Sequence, residues 1–586
     1  MLRDLAELTM LEEGDPQSFR VRAYESAAQA IEAQATDLGR LTVQELQKIE
    51  GIGKATASKI RELLETGKVA KLEGLRQKHP PSVVRLLRMQ GLGPKALKRL
   101  RSELGVESIE DLKDVLATHK LRGLRGFGAK SEEKLARSVA WLEEQGASRR
   151  WPISVALPLA QRVVATIAEV PGVVHASYAG SLRRFAETIG DVDVVVAATA
   201  AEPVMDAVVA MSIVDRVLVR GAGKTSIVTR RGIQVDVRVV AEEQLGAALL
   251  YFTGSKGHNI KLRMRALARG LTLNEYALSE AKPPDSSPRR DRGETDEGAR
   301  VVASETEEQI YAALGLPFIP PVLREDAGEI EAAERGALPR PLGAVIGDFH
   351  VHTSLSGDGR STLEDVVRRA IDRGVRVLAI TDHAEKTISG VSKEALLDQR
   401  DHIRALQAEV GDALTLLHGV ELNIGPEGEL DYDLEFRRSF DWCLASVHDR
   451  FELDRATQTK RVVKAMQDPT VRMIGHLSAR MIGARPPIEL HLEEVLAAAA
   501  STGTALEVNG GLPRLDLSVE SLRRARESGV TFVLTSDAHH ADELARVDYA
   551  ARNAERAWVD PERVANTWPA ERLHAWAIGG KMPKVN

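Results

Sequence analysis

The chain changes its hydrophobic rhythm twice. Up to about residue 150, short helical patterns alternate with glycine-containing turns, as in LQKIEGIGKATASKIRELLETG. From Trp151 helices and strands alternate: ISVALPLAQRVVATIAEV, VVHASYAG, IGDVDVVVAA, RVLVRGAG, KTSIVTRRG and IQVDVRVVA, the later ones β-branched runs that predict strands. Helical patterns return at about Glu242. The polar, proline-containing SEAKPPDSSPRRDRGETDEGARVV predicts a mobile loop at 280–300, and GLPFIPPVLREDAGEIEAAERGALPRPLG leads across a linker. Beyond Leu342 the rhythm is regular. AVIGDFHVH, RVLAITDH, LTLLHGVELN, DWCLASVH, VRMIGHL, TALEVNG and TFVLTSDAHH each precede a helix-like stretch. Seven such units predict a barrel-like α/β domain whose site lies where the βα loops converge.

Length and composition narrow this picture. A chain of 586 residues exceeds one core, so several domains are expected. No apolar run reaches membrane-spanning length, and the start, MLRDLAELTMLEEGD, lacks the layout of a signal peptide. One cysteine, Cys443, excludes an internal disulfide framework and suits a reducing cytoplasm. The net charge of -6 hides an asymmetry: residues 1–150 carry 27 Lys+Arg against 22 Asp+Glu, leaving the remainder acidic. Of 15 histidines, 11 lie from His350 onward, which points to a metal-rich enzyme domain there.

One phrase recurs in the helical region. Gly51-Ile52-Gly53, Gly91-Leu92-Gly93 and Gly126-Phe127-Gly128 are each followed by a polar or basic helix start. A Gly-x-Gly turn lets backbone amides at a helix N-terminus approach a phosphate with no Cβ in the way. Lys54, Lys59, Lys95, Lys98, Lys130 and Lys134 lie just downstream, placed for salt-sensitive phosphate contacts. One copy reads as a tight turn; three with basic followers point to DNA-backbone binding. They resemble helix-hairpin-helix motifs.

A second clue is YAGSLRRFAETIGDVDVVVA. Residues i and i+2 of a strand share a face, so Asp191 and Asp193 point together, and Asp236 in GIQVDVRVV sits on another strand. Such carboxylates repel one another unless cations neutralise them, and oxygen ligands with open positions favour Mg²⁺ shared with substrate phosphates. Gly180-Ser181 reads as a turn opening a helix, a seat for phosphates. Solvated strand-end acids would explain the acid pair alone, but not the whole pattern. It is similar to the nucleotidyltransferase signature.

The match extends further. YFTGSKGHNIKLRMRALARGLTLNEYAL, with GSLRRFAETIGDVD, VDVR and TEEQIYAALGLPFIPPVLRE, resembles the family X DNA polymerases. That resemblance implies that Asp191, Asp193 and Asp236 hold catalytic Mg²⁺ or Mn²⁺. It implies that Gly180, Ser181, Arg184 and Gly254 serve the incoming dNTP, that Tyr251 and Phe252 pack against its sugar, and that Asn259 and Arg263 reach base edges or the template side. Phe185 departs from the small residue expected after the arginine pair, and Ile189 from a hydroxyl. The family also carries a lyase whose Schiff-base lysine aligns with Lys59, with Tyr24 beside it. Phe19, Arg20 and Ala55 replace the basic residues and histidine of that pattern, so a phosphate-binding or solvated Lys59 stays open.

The last domain offers nine ligands near predicted strand ends: His350, His352, Asp358, His383, Glu421, His448, His476, Asp537 and His539. Mixed imidazole and carboxylate donors suit Mn²⁺, Zn²⁺ or Fe²⁺ and hydrolysis of a phosphoester. The set resembles the PHP (polymerase and histidinol phosphatase) family, which implies Mn²⁺ or Zn²⁺, up to three ions. Asp358 departs most, because SLSGDG is longer than the usual run. His402, His418, His491, His540 and His574 fit no ligand slot.

The expected fold is therefore multidomain. An all-α helix-hairpin-helix region comes first, with a lyase-like part at 1–80 and a second part at 81–150. An α/β nucleotidyltransferase palm (151–241) and an α-rich thumb (242–324) follow. A linker (325–342) then leads to a distorted (β/α)7 PHP barrel (343–586). The two resemblances imply a monomeric cytoplasmic DNA repair polymerase that fills gapped or primer-template DNA with dNTPs, without a membrane partner, and a 3′→5′ exonuclease that also acts on abasic ends or 3′-phosphates. The rivals are a metal-dependent phosphatase with an inactive polymerase region and a non-enzymatic DNA-binding scaffold.

Overall fold

The computed structural model describes residues 1–13, 18–32, 41–49, 51–66, 68–79, 83, 86, 92, 94–124, 127–128, 131–133, 135–136, 139, 150–281, 300–387 and 389–579. The chain divides after Arg149 into two units.

The first unit is helical among its described residues. Leu2–Glu13, Phe19–Glu32, Lys54–Thr66, Ala70–Lys78, Pro94–Leu104 and Ile109–Ala117 pack around Leu5, Val21, Ile60, Leu75, Leu97 and Leu112. Ile52, Leu92 and Phe127, the middle residues of the three Gly-x-Gly phrases, are buried in that core. Gly51 has φ 86°, and a helix begins directly after Gly53. Gly128 stands at a helix start, its carbonyl accepting from the amides of Ser131 and Glu132 at 3.0 and 3.1 Å. Gly91, Gly93, Gly126, Lys130 and Lys134 lie outside the described residues.

In the second unit, β1 (Trp151–Pro152) pairs with β3 (Thr188–Ile189), burying Ile189. A five-stranded sheet follows, in the order β2 (Val173–Tyr178), β4 (Val192–Ala198), β7 (Gln234–Val240), β6 (Lys224–Thr229) and β5 (Val214–Arg220). Val192, Val194, Val196, Val235 and Val237 share one face and pack with Leu157, Ala160 and Val163 of helix Ile153–Ala168. On the other face Val195 meets Ala179 and Ala248. A one-residue slip would drive Asp193 into the valine core, so burial of that face fixes the register that presents the acid.

The thumb holds helices Leu245–Thr253, Lys256–Leu267 and Glu307–Ala313 and the small sheet β8 (Leu271–Leu273), β9 (Leu278–Glu280) and β10 (Val301–Ala303). Residues 282–299 of the expected mobile loop lie outside the described residues. The stretch expected as a linker differs at its start: helix Glu329–Glu334 buries Ile330 and Ala333 in the thumb core, and Glu329 bonds His258 at 2.7 Å.

Seven parallel strands form the barrel in chain order: β11 (Gly347–Asp348), β12 (Val377–Ile380), β13 (Thr415–Asn423), β14 (Trp442–Ser446), β15 (Val471–Ile474), β16 (Ala505–Asn509) and β17 (Phe532–Thr535). A parallel bridge between Val351 and Ala538 brings its first and last strands together. Phe349, Trp442, Trp568 and Trp576 cluster with Val377, Ala505 and Val533, residues at or near the starts of their strands. Three of the chain's six tryptophans thus plug one end of the barrel, leaving the strands' C-terminal ends for chemistry. Among the described residues no helix is long and apolar enough to cross a membrane.

Candidate active sites

The first cluster lies on the palm sheet. Asp193 and Asp236 are register partners on the parallel pair β4 and β7, and Asp191 stands two residues before Asp193. Oxygens of all three lie within 4.8 Å of one another. Burial, then repulsion from Asp191 and Asp236, pushes the Asp193 carboxyl up to about 7. Burial also opposes charge on Asp236, but hydrogen bonds outweigh it: Gln234 donates at 3.0 Å and Lys224 lies 3.2 Å away. Gly180 is required twice over, having φ 61° and sitting where a Cβ would collide with the Asp193 carboxylate. The turn it opens, Gly180–Arg183, carries Ser181.

The other residues expected at the nucleotide fall into two contacting groups. Tyr251 and Phe252 form an edge-on pair 5.0 Å apart, with Arg263 over the Tyr251 ring at 5.0 Å and Arg238 over the Phe252 ring at 5.1 Å. Asn259 donates to the Tyr251 carbonyl at 2.7 Å. Gly254 has φ 67° and passes close to the Arg184 guanidinium, which donates to the Thr253 carbonyl and, through Nε, to Glu325 at 3.2 Å. The sequence did not single out a carboxylate that joins two arginines: Glu307 takes Arg183 at 2.7 and 3.0 Å and Arg324 at 2.5 Å.

The second cluster closes the barrel mouth. Glu421, wholly buried, is its hub: Oε2 lies 3.3 Å from His350, 3.5 Å from His352 and 2.9 Å from His383, and Oε1 lies 3.2 Å from His448 and 3.1 Å from His476. Asp537 Oδ1 stands 3.5 Å from both His350 and His352. Asp358, the residue with the least regular spacing, lies 3.4 Å from His383 and 3.5 Å from His539. Eight of the nine expected residues therefore meet in overlapping triads, and Asp358 joins them through His383 and His539.

Chemistry of the donor set fits divalent cations. Both Glu421 oxygens, both His352 nitrogens, His350 Nε2 and His383 Nδ1 are buried without hydrogen-bond partners, a costly arrangement unless ions occupy the centre. Burial and the neighbouring His539 and His383 push His352 down to about 3, its neutral, ligating form. Burial opposes charge on Glu421 too, but His350, His448 and His383 hold its carboxyl well below the usual range. Divalent binding at such a site releases protons.

Supporting residues that sequence spacing missed come largely from β16. Glu507 Oε1 lies 2.6 Å from His350 Nδ1 and accepts from Thr535 at 2.5 Å, and Asn509 donates to Asp537 at 3.0 Å. Their signal was the alternation in LEVN, with two polar residues facing inward from a buried strand. Arg514 lies 3.4 Å from Asp537 and keeps a buried Nη1 without a partner. His418, outside the cluster, is buried against Phe440.

In the first unit, Lys59 donates to the Ala55 carbonyl at 3.1 Å, and its Nζ lies 5.7 Å from the centre of the Tyr24 ring.

Comparison with known proteins gives family matches for four stretches of the chain and relatives for longer ones. Residues 1–69 match a helix-hairpin-helix domain, 83–139 a SAM-like helix-hairpin-helix tandem, 248–325 the DNA polymerase beta thumb and 348–510 the PHP domain. The chain is 34% identical over 562 residues, 95% of each chain, to the DNA polymerase/3′-5′ exonuclease PolX of Bacillus subtilis. Over 246 residues, 40% of this chain and 94% of the relative, it is 28% identical to a probable phosphatase of Vibrio vulnificus. A probable phosphatase of Vibrio parahaemolyticus is 29% identical over 254 residues, 41% of this chain and 96% of its own.

Proposed function

Because the chain belongs to the family X DNA polymerases that carry a C-terminal PHP domain, we propose that it fills short gaps in DNA at the palm cluster and removes 3′-terminal nucleotides at the barrel cluster. The observation that carries this reading is the presence, in one chain, of two separate ligand clusters of different make. Divalent ions bound to them supply charge neutralisation and activation of the attacking oxygen. We assign Mg²⁺ or Mn²⁺ to the all-carboxylate palm cluster and Mn²⁺ or Zn²⁺, up to three ions, to the imidazole-rich barrel cluster.

The chain's own residues do the rest. In this reading the Gly180–Arg183 turn, Ser181 and Arg184 receive the dNTP triphosphate, Tyr251 and Phe252 back its sugar, and Asn259 and Arg263 face the base pair. Asp191, Asp193 and Asp236 orient the primer end and the nucleotide. In the barrel, Glu507 and Asn509 fix the orientation of His350 and Asp537. Glycine turns and basic followers hold the DNA backbone, Lys59 among them. Both clusters form within one copy, which supports a monomer; the single cysteine suits a reducing cytoplasm, and the family relationship supports a role in DNA repair.

The barrel's likeness to probable phosphatases favours one second reading, phosphomonoester hydrolysis with an idle palm. A 5′-labelled primer on gapped duplex separates the two. Our reading expects extension with dNTPs and Mn²⁺ and shortening when dNTPs are withheld. A chain that hydrolyses a phosphomonoester yet leaves the primer unchanged in both conditions supports the phosphatase instead.

A further inference from the structure

The segment between the phosphate-binding turn and the catalytic acids is clasped by one barrel helix. Tyr549, Arg552 and Arg556 occupy one face of helix Val547–Arg556. Phe185, with φ 59° and full burial, stacks on Tyr549 at 5.7 Å, with the Arg552 guanidinium 5.8 Å from its ring centre. Its carbonyl accepts from Arg556 Nη1 at 3.0 Å. Two residues on, Glu187 takes both terminal nitrogens of Arg480 at 3.0 and 2.9 Å.

The second arm of Arg556 reaches further. Its Nη2 donates to Glu325 Oε1 at 2.9 Å, and that same oxygen accepts Arg184 Nε at 3.2 Å. The arginine offered to the triphosphate therefore already has a carboxylate partner, and the barrel shares that partner. When Arg184 turns to the phosphates, Glu325, whose side chain is 21% exposed, would face an incoming anion without a cation. Arg556 prevents this because it is fixed. It is anchored on the Phe185 carbonyl, its side chain is 10% exposed, and its own carbonyl accepts from Arg523 at 3.2 Å.

We propose that Arg556 is a positioning residue for nucleotide binding: it holds Glu325 when Arg184 leaves for the triphosphate, so that the barrel sets the affinity of the palm for dNTP. This rests on reading Arg184 as a triphosphate ligand. It gives a role to Phe185, whose ring stacks on the same helix that carries Arg556 and whose carbonyl accepts from that arginine, and it needs no movement of the barrel.

Single-turnover filling of a one-nucleotide gap by the full chain tests it, because this assay separates the apparent Kd for dNTP from the insertion rate. Arg556→Met is expected to raise that Kd about tenfold, the size of one lost charge-assisted hydrogen bond, with the insertion rate at saturating dNTP and the shortening of single strands unchanged. Arg556→Lys, which keeps the charge, should recover most of the loss. Glu325→Gln should bind dNTP at least as well as the parent chain, and in that background Arg556→Met should have no further effect. The proposal is overturned if Arg556→Met weakens dNTP binding equally with Glu325 or Gln at 325. It is also overturned if the insertion rate or the shortening falls in step with binding, as damage to the barrel would produce. Failure of the underlying reading looks different, since Arg184→Ala would then leave the dNTP Kd unchanged.

Discussion

In the palm, three carboxylates come from two adjacent strands and stay partly open; in the barrel, nine candidate ligands converge from the ends of six of the seven strands and lie largely enclosed. The palm site is made by register: Asp193 and Asp236 face each other because the valines beside them fill one core. Burial and its neighbours push Asp193 up to about 7, so a divalent cation shared with nucleotide phosphates would relieve the repulsion within that cluster. The barrel site is made by closure and carries its own support in Glu507 and Asn509. Synthesis must admit a new dNTP and release pyrophosphate at every step, whereas cutting can use a rigid centre, and the two constructions match those needs.

The largest predicted effect lies at the barrel hub. Glu421→Ala removes the carboxylate common to five histidines and should lower primer shortening by about a thousandfold, as for loss of a dominant electrostatic contributor; extension of a gapped primer by the same preparation should persist.

Next in size is the thumb. Glu307 is buried, which opposes its charge, but Arg324 and Arg183 hold its carboxyl below the ordinary value. Its stabilisation is complete above the unfolded-state value of about pH 4.3 and is lost as pH falls through the lower folded-state value. Glu307→Gln should cost about 3 kcal/mol at pH 7, as expected on breaking a buried pair. In denaturant unfolding the gap from the parent chain should shrink towards pH 3. Extension should suffer with it and shortening should not, because the barrel is closed without the thumb.

Much of both sites is legible in the sequence, and the reasons differ. The acid pair follows from strand periodicity, and the barrel ligands from their place at strand ends. The opposition of Asp193 to Asp236 does not, because register depends on which strand lies beside which. Glu507 escaped notice because it supports ligands from mid-strand, and the Glu325–Arg556 contact because its partners stand 231 residues apart. Phe185 was visible as a departure, but its cause lies across a domain boundary. The start of the expected linker packs instead on the thumb, since Ile330 and Ala333 of EIEAAE lie on one helix face.

Two smaller effects sharpen the contrast. Arg514→Ala, 3.4 Å from Asp537, should slow shortening about 10- to 100-fold through loss of a supporting contact, leaving extension unchanged in the labelled-primer assay. Lys59→Ala should weaken binding of gapped duplex by about threefold or less at moderate salt, and the slope of affinity against salt should fall by about one phosphate contact. Borohydride added to the parent chain on abasic DNA should trap no adduct if Lys59 only touches phosphate.

The central claim is that building and cutting occur at two independent metal centres. A 5′-labelled primer on gapped DNA with Mn²⁺, followed with and without dNTPs in the parent chain, Asp193→Ala and His352→Ala, tests it most directly. The account predicts that Asp193→Ala stops lengthening while shortening continues, and that His352→Ala does the reverse. Loss of both activities in each variant would contradict it.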